Sequence, residues 1–88
     1  MIVLDMTKYF AVHLAENQIR VNVVSPGGIY NSEKPQSEYF IGEYSKRNPL
    51  GRMANTDDIL GALLYLTSDA SSYVTGHNLV VDGGMSCW

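Results

Sequence analysis

Apolar residues recur at three- and four-residue spacing from the first turn of the chain: Ile2, Val3, Met6, Phe10 and Leu14, with His13 on the same stripe. That period belongs to an amphipathic helix and predicts one over residues 2–17. Tyr9, Ala11 and Val12 widen the stripe, so the helix is expected to be covered on more than one side. Asn17 supplies a stop, because its side chain tolerates the left-handed turn after a helix. From Ile19 to Ser25 the pattern changes to β-branched residues and closes on Pro26-Gly27-Gly28, which predicts a strand followed by a sharp break. The near-continuous apolar character suits a strand covered on both faces, as in a parallel sheet.

Residues 29–50 alternate between polar and aromatic, punctuated by Pro35 and Pro49, and predict a mobile excursion with a short helix about Ser37–Arg47. Its Tyr39, Phe40 and Tyr44 either pack that helix as a lid onto the body or close over a ligand. Thr56-Asp57-Asp58 opens a second main helix, with a hydroxyl or Asn55 to cap it and two aspartates at the positive end of its dipole. Its apolar run, Ile59, Leu60, Leu63, Leu64 and Leu66, fades at Ser68-Asp69. Asn78 to Asp82 is a second short strand, bounded by Gly76 and Gly83-Gly84. Two strands joined by a long helical crossover run parallel in one sheet, with a right-handed connection favoured. Two strands alone are too few for independent stability. The 88 residues therefore predict a single α/β unit that is incomplete as a domain.

Composition narrows the partners. Apolar residues make up 45% of the chain, as in ordinary globular proteins, but charged residues only 17%, below the typical ~25%, so part of the surface is expected to be covered. The net charge of −3 and six scattered Lys and Arg residues offer no basic stripe for nucleic acid. The single cysteine, Cys87, excludes an intrachain disulfide and a Cys-based zinc cluster, and suits a reducing compartment. No run approaches the ~20 apolar residues of a membrane span. Met1-Ile2-Val3-Leu4-Asp5 lacks a signal-peptide pattern, so a cytoplasmic location is expected, with no membrane partner.

Several motifs then occur in unbroken order: Ala15-Glu16-Asn17-Gln18-Ile19-Arg20-Val21-Asn22-Val23-Val24-Ser25-Pro26-Gly27, Pro49-Leu50-Gly51-Arg52, the Asp57-Asp58-Ile59 helix start, Leu66-Thr67-Ser68-Asp69-Ala70-Ser71, Val74-Thr75-Gly76 and Val81-Asp82-Gly83-Gly84. Each is weak alone, but together they resemble the C-terminal segment of the short-chain dehydrogenase/reductase family over essentially the whole chain. The resemblance implies the C-terminal part of a Rossmann-like, doubly wound parallel sheet and an NAD or NADP cofactor. It makes residues 29–50 the substrate loop and the two strands the last of the sheet. It also assigns cofactor binding to Pro26, Gly27, Ile29 and Asn31, the backbone around Ile29 facing the nicotinamide carboxamide. Asn31 departs from the family's usual Thr, though an amide still offers donors.

The family's chemistry needs a Gly-rich phosphate turn, a Ser and a Tyr-x-x-x-Lys pair, in which the lysine lowers the pKa of the acid/base tyrosine. The resemblance places that lysine at or just before Met1, so no catalytic residue is expected here. Tyr30 and Lys34 fit the spacing by chance, since they follow Pro-Gly-Gly and Pro35 biases Lys34 away from helix. His13 and His77 have no partner set for a metal, and none is expected. Asn22 reads as a structural hydrogen-bonder, Arg52 as an ion-pair partner of Asp57 or Asp58, and Cys87-Trp88 as an interface tail. The first functional expectation is the C-terminal portion of an NAD(P)-dependent oxidoreductase acting on a small-molecule carbonyl or alcohol, inactive and without cofactor on its own. The second is a non-catalytic association module or truncation product. Either is expected to form homo-oligomers.

Overall fold

The computed structural model describes residues 1–88. Five elements follow one another: α1 (Ile2–Leu14), β1 (Val23–Pro26), α2 (Glu38–Arg47), α3 (Thr56–Thr67) and β2 (Asn78–Val81). Short 3-10 turns occupy Ala15–Asn17, Asp69–Ser71 and Met85–Cys87. β1 and β2 pair in parallel, Val23 opposite Asn78 and Pro26 opposite Val81, as the crossover between them requires.

α1 forms on the expected stripe but ends three residues early, at Leu14, and tightens into the 3-10 turn. The left-handed residue is Gln18 (φ 60°), not Asn17, and its N–H closes on the Ala15 carbonyl at 3.0 Å. The stripe is not covered on several sides by these residues. Only Thr7 and Ala11 of α1 are buried, whereas Ile2 and Val12 remain about three-quarters exposed (74% and 75%).

The strand expected over Ile19–Ser25 is shorter and shifted, because residues before Val23 meet an irregular partner. The Val21 carbonyl accepts the Gly76 N–H (2.8 Å), and the Val21 N–H donates to Thr75 Oγ1 (3.1 Å). Asn22 does the structural work expected of it: Nδ2 donates to the Val74 carbonyl (3.0 Å) and Oδ1 accepts the His77 N–H (3.0 Å). Arg20 adds a staple, its guanidinium donating to the carbonyls of Leu66 (2.9 Å) and Val74 (3.1 Å). One side chain thus joins the last turn of α3, whose carbonyls lack helical partners, to the segment entering β2.

Buried residues number six: Thr7, Ala11, Asn48, Met53, Leu66 and Ser71. The accessible surface is 6532 Å², roughly 1,400 Å² more than the ~5,100 Å² of a self-contained monomer of this mass. The radius of gyration, 15.5 Å, likewise exceeds the ~12 Å of a compact chain of this length. The core is therefore thin, its buried residues divided between α1, α3 and the connections at Asn48, Met53 and Ser71.

Candidate functional site

The carboxyl ends of β1 and β2 lie side by side, where ligands of open parallel sheets bind. The ladder continues one residue into the turn, the Gly27 N–H donating to the Val81 carbonyl at 2.9 Å. Beyond it, Gly28 to Tyr30 pairs with Ala54. The Gly28 carbonyl accepts the Ala54 N–H (2.9 Å) and the Tyr30 N–H donates to the Ala54 carbonyl (2.8 Å). The intervening loop thus leaves and rejoins the body at one place, just ahead of α3.

Pro26 is exposed at the end of β1, and Gly27, Gly28 and Ile29 are half-buried. Ile29 and Asn31 line an open cleft of about 520 Å³ with Tyr30, Ser32, Asn55 and Thr56. The structure therefore gathers Pro26, Gly27, Ile29 and Asn31 into one turn beside one cleft. The Asn31 side chain is engaged within its own loop, Oδ1 accepting the N–H groups of Glu33 (3.0 Å) and Lys34 (3.1 Å). Gln36 reaches back, Nε2 donating to the Ile29 carbonyl at 2.9 Å. Tyr30 and Lys34 lie in irregular backbone, without the helical turn an acid/base pair requires.

The three loop aromatics differ in exposure and contact. Tyr39 is 79% exposed, and Phe40 47%, while Tyr44 packs onto the turn with its Oη accepting the Gly28 N–H at 2.7 Å. The flat group approaching the glycines is this side chain. A Cβ added to Gly28 would lie 2.7 Å from Tyr44 Cζ, and one on Gly27 would lie 2.9 Å from Tyr44 Oη.

The sequence pattern does not point to Asn48, and points to Asp82 and Gly83 only as the close of a strand motif. Asn48 is buried, its Nδ2 donating to the Asp82 carbonyl and its Oδ1 accepting the Leu50 N–H, both at 2.9 Å. It presses on Gly83, whose φ of +66° admits no side chain at ease. The Asp82 carboxylate accepts the N–H groups of Gly84 (2.9 Å) and Ser86 (3.0 Å). Hydrogen bonding from Ser86, its side chain foremost, holds Asp82 below the usual carboxylate range against the opposing pull of desolvation. The available signal was Asn before Pro49 and the paired glycines after Asp82. Asn48, Asp82 and Gly83, together with Tyr44, Arg52 and Asp58, line a small cavity of about 150 Å³.

Arg52 pairs with Asp58 at 2.8 Å, as one of the two expected partners, and not with Asp57. That hydrogen bond, then one from the Asn55 backbone, lowers the Asp58 pKa, and the hydrogen bond and charge of Asp58 raise that of Arg52. Asp58 also completes a capping box with Asn55 at the start of α3.

Residues 1–86 match the family model described as enoyl-(acyl carrier protein) reductase. Over 98% of its length the chain is similar, at 43% identity, to a D-arabinitol 2-dehydrogenase (ribulose-forming) of Candida tropicalis, of which it covers 32%. It is 44% identical, over 93% of its length, to a 2-dehydro-3-deoxy-D-gluconate 5-dehydrogenase of Bacillus subtilis, of which it covers 34%. A crystal structure of a short-chain dehydrogenase from Leptospira borgpetersenii with bound NAD+ superimposes with a TM-score of 0.86 at 48% identity, covering 94% of this chain and 32% of that one. The chain spans about a third of the length of the proteins it matches.

Proposed function

The chain belongs to the short-chain dehydrogenase/reductase family, and we propose that its residues supply the nicotinamide-facing turn and the substrate loop of an NAD(P)-dependent oxidoreductase interconverting a carbonyl and an alcohol. The observation that carries the proposal is the Pro26–Asn31 turn, set at the carboxyl ends of the parallel strands and opening on the cleft beside α3. The bound cofactor would supply or accept the hydride. Pro26 and Gly27 direct the backbone out of the sheet, Ile29 offers its main chain to the carboxamide, and Asn31 borders the cleft. Residues 29–50, with α2, border the substrate side, and their aromatic content suits an organic substrate small enough to be covered by one short helix.

The proton-transferring groups of such an enzyme are not among residues 1–88. On their own these residues are therefore expected to bind cofactor weakly or not at all and to show no NAD(P)H oxidation with carbonyl substrates. A decisive experiment grafts residues 1–88 in place of the corresponding third of the Leptospira borgpetersenii dehydrogenase and measures binding of NADH against ADP-ribose, which lacks the nicotinamide. Tighter binding of NADH supports the turn as a nicotinamide seat. Equal affinity for both ligands removes that role.

A further inference from the structure

We propose that Tyr44 is a positioning residue that ties α2 to the Gly27–Ile29 turn, so that the substrate-side helix and the cofactor-side backbone move as one piece. The proposal deepens, and rests on, the assignment of that turn to the nicotinamide.

The geometry is one-sided. α2 buries none of its residues, and Tyr44 is its one side chain hydrogen-bonded beyond the helix. The Gly28 N–H has a single acceptor, Tyr44 Oη at 2.7 Å, a short bond for this type. The ring stands so close to the turn that neither glycine admits a Cβ, although Gly27 and Gly28 do not adopt the left-handed backbone that would otherwise call for glycine. Gly28 is therefore demanded by the tyrosine itself, while at Gly27 a Cβ would also lie 3.0 Å from Cα and Cβ of Asp82. Phe40, one turn earlier in α2, stacks against Tyr44 with centroids 6.2 Å apart and planes 28° apart, which limits the rotamers open to the phenol.

Displacing α2 would strip Gly28 of its acceptor in a half-buried position, an outcome that raises the free energy of the open arrangement. Conversely, any ligand that fixes the backbone at Ile29 also fixes the adjoining Gly28 N–H, and through it α2. Cofactor occupancy and the pose of the substrate loop are linked in both directions, as two sites sharing one element must be.

Tyr44→Phe keeps the ring and removes the acceptor. In the 88-residue chain, Gly28 amide exchange is expected to accelerate about tenfold. In the chimera, NADH is expected to bind about five-fold more weakly, the loss of one hydrogen bond, while ADP-ribose affinity stays within about two-fold. Substrate KM rises with little change in kcat. Gly28→Ala, which forces the ring away with Tyr44 intact, should give the same signature, so the inference does not hang on one variant. Faster Gly28 exchange with unchanged NADH affinity overturns the proposal, and so does equal weakening of both ligands, the mark of general damage. A parent chimera that fails to distinguish NADH from ADP-ribose overturns the functional reading instead, and the exchange rates alone then decide whether Tyr44 holds the turn.

Discussion

Asp58 and Asp82 are small anchors with large local consequences. Each carboxylate receives hydrogen bonds that its protonated form accepts less well, so each is more acidic in the folded chain than in an unfolded one. The stability they contribute is fully present above the ordinary carboxylate pKa of about 4 and is lost as the pH falls through their lowered folded values. Thermal denaturation followed from pH 7 down to pH 2 is expected to show a falling midpoint below about pH 4, and Asp82→Asn should flatten that fall. Gly83 is the complementary case, since its backbone rather than its charge is exacting. Gly83→Ala is expected to cost at least about 1–2 kcal/mol from the left-handed backbone alone, with a further loss from the clash with Asn48. Urea unfolding of Gly83→Ala, Asn48→Ala and the double variant checks this, because relief of the shared clash makes the double less than the sum.

Among the elements, the helices and the parallel pairing were legible because periodicity and turn chemistry are local. Asn55 and Asp58 flagged the start of α3, and Ser37 capped α2 within the expected range. Asn55→Ala is expected to remove about 1 kcal/mol and lower the melting temperature by about 4–8 °C, readable by circular dichroism. The limits of β1 were not legible, since whether Ile19–Asn22 joins a ladder depends on the backbone more than fifty residues away, at Val74–His77. For the same reason the turn at Pro26–Asn31 was recognisable from Pro-Gly-Gly, whereas its partners Tyr44, Gln36 and Asn48 were not. Their spacing carries no period, and only tertiary closure brings them to Gly28, Ile29 and Asp82.

The molecule as a whole exposes more surface than its mass warrants, much of it apolar along α1 and on Leu60, Leu63 and Leu64 of α3. A two-stranded sheet also leaves both outer edges open to pairing. The 88-residue chain is therefore expected to self-associate at micromolar concentration, in keeping with its low charged fraction. Sedimentation equilibrium reading a folded monomer across that range would contradict this.

The register of the sheet has a temporal side. Val23 pairs with Asn78 far along the chain, so during synthesis β1 leaves the ribosome long before β2 exists to lie beside it. Helices α2 and α3 can form as they emerge, but the pairing of β1 with β2, and with it the Gly27 to Val81 bond that seats the turn, must wait for Val81. Nascent chains stalled before Asn78 should thus remain protease-sensitive around Val23–Pro26, and the site is completed late, in a single closing step.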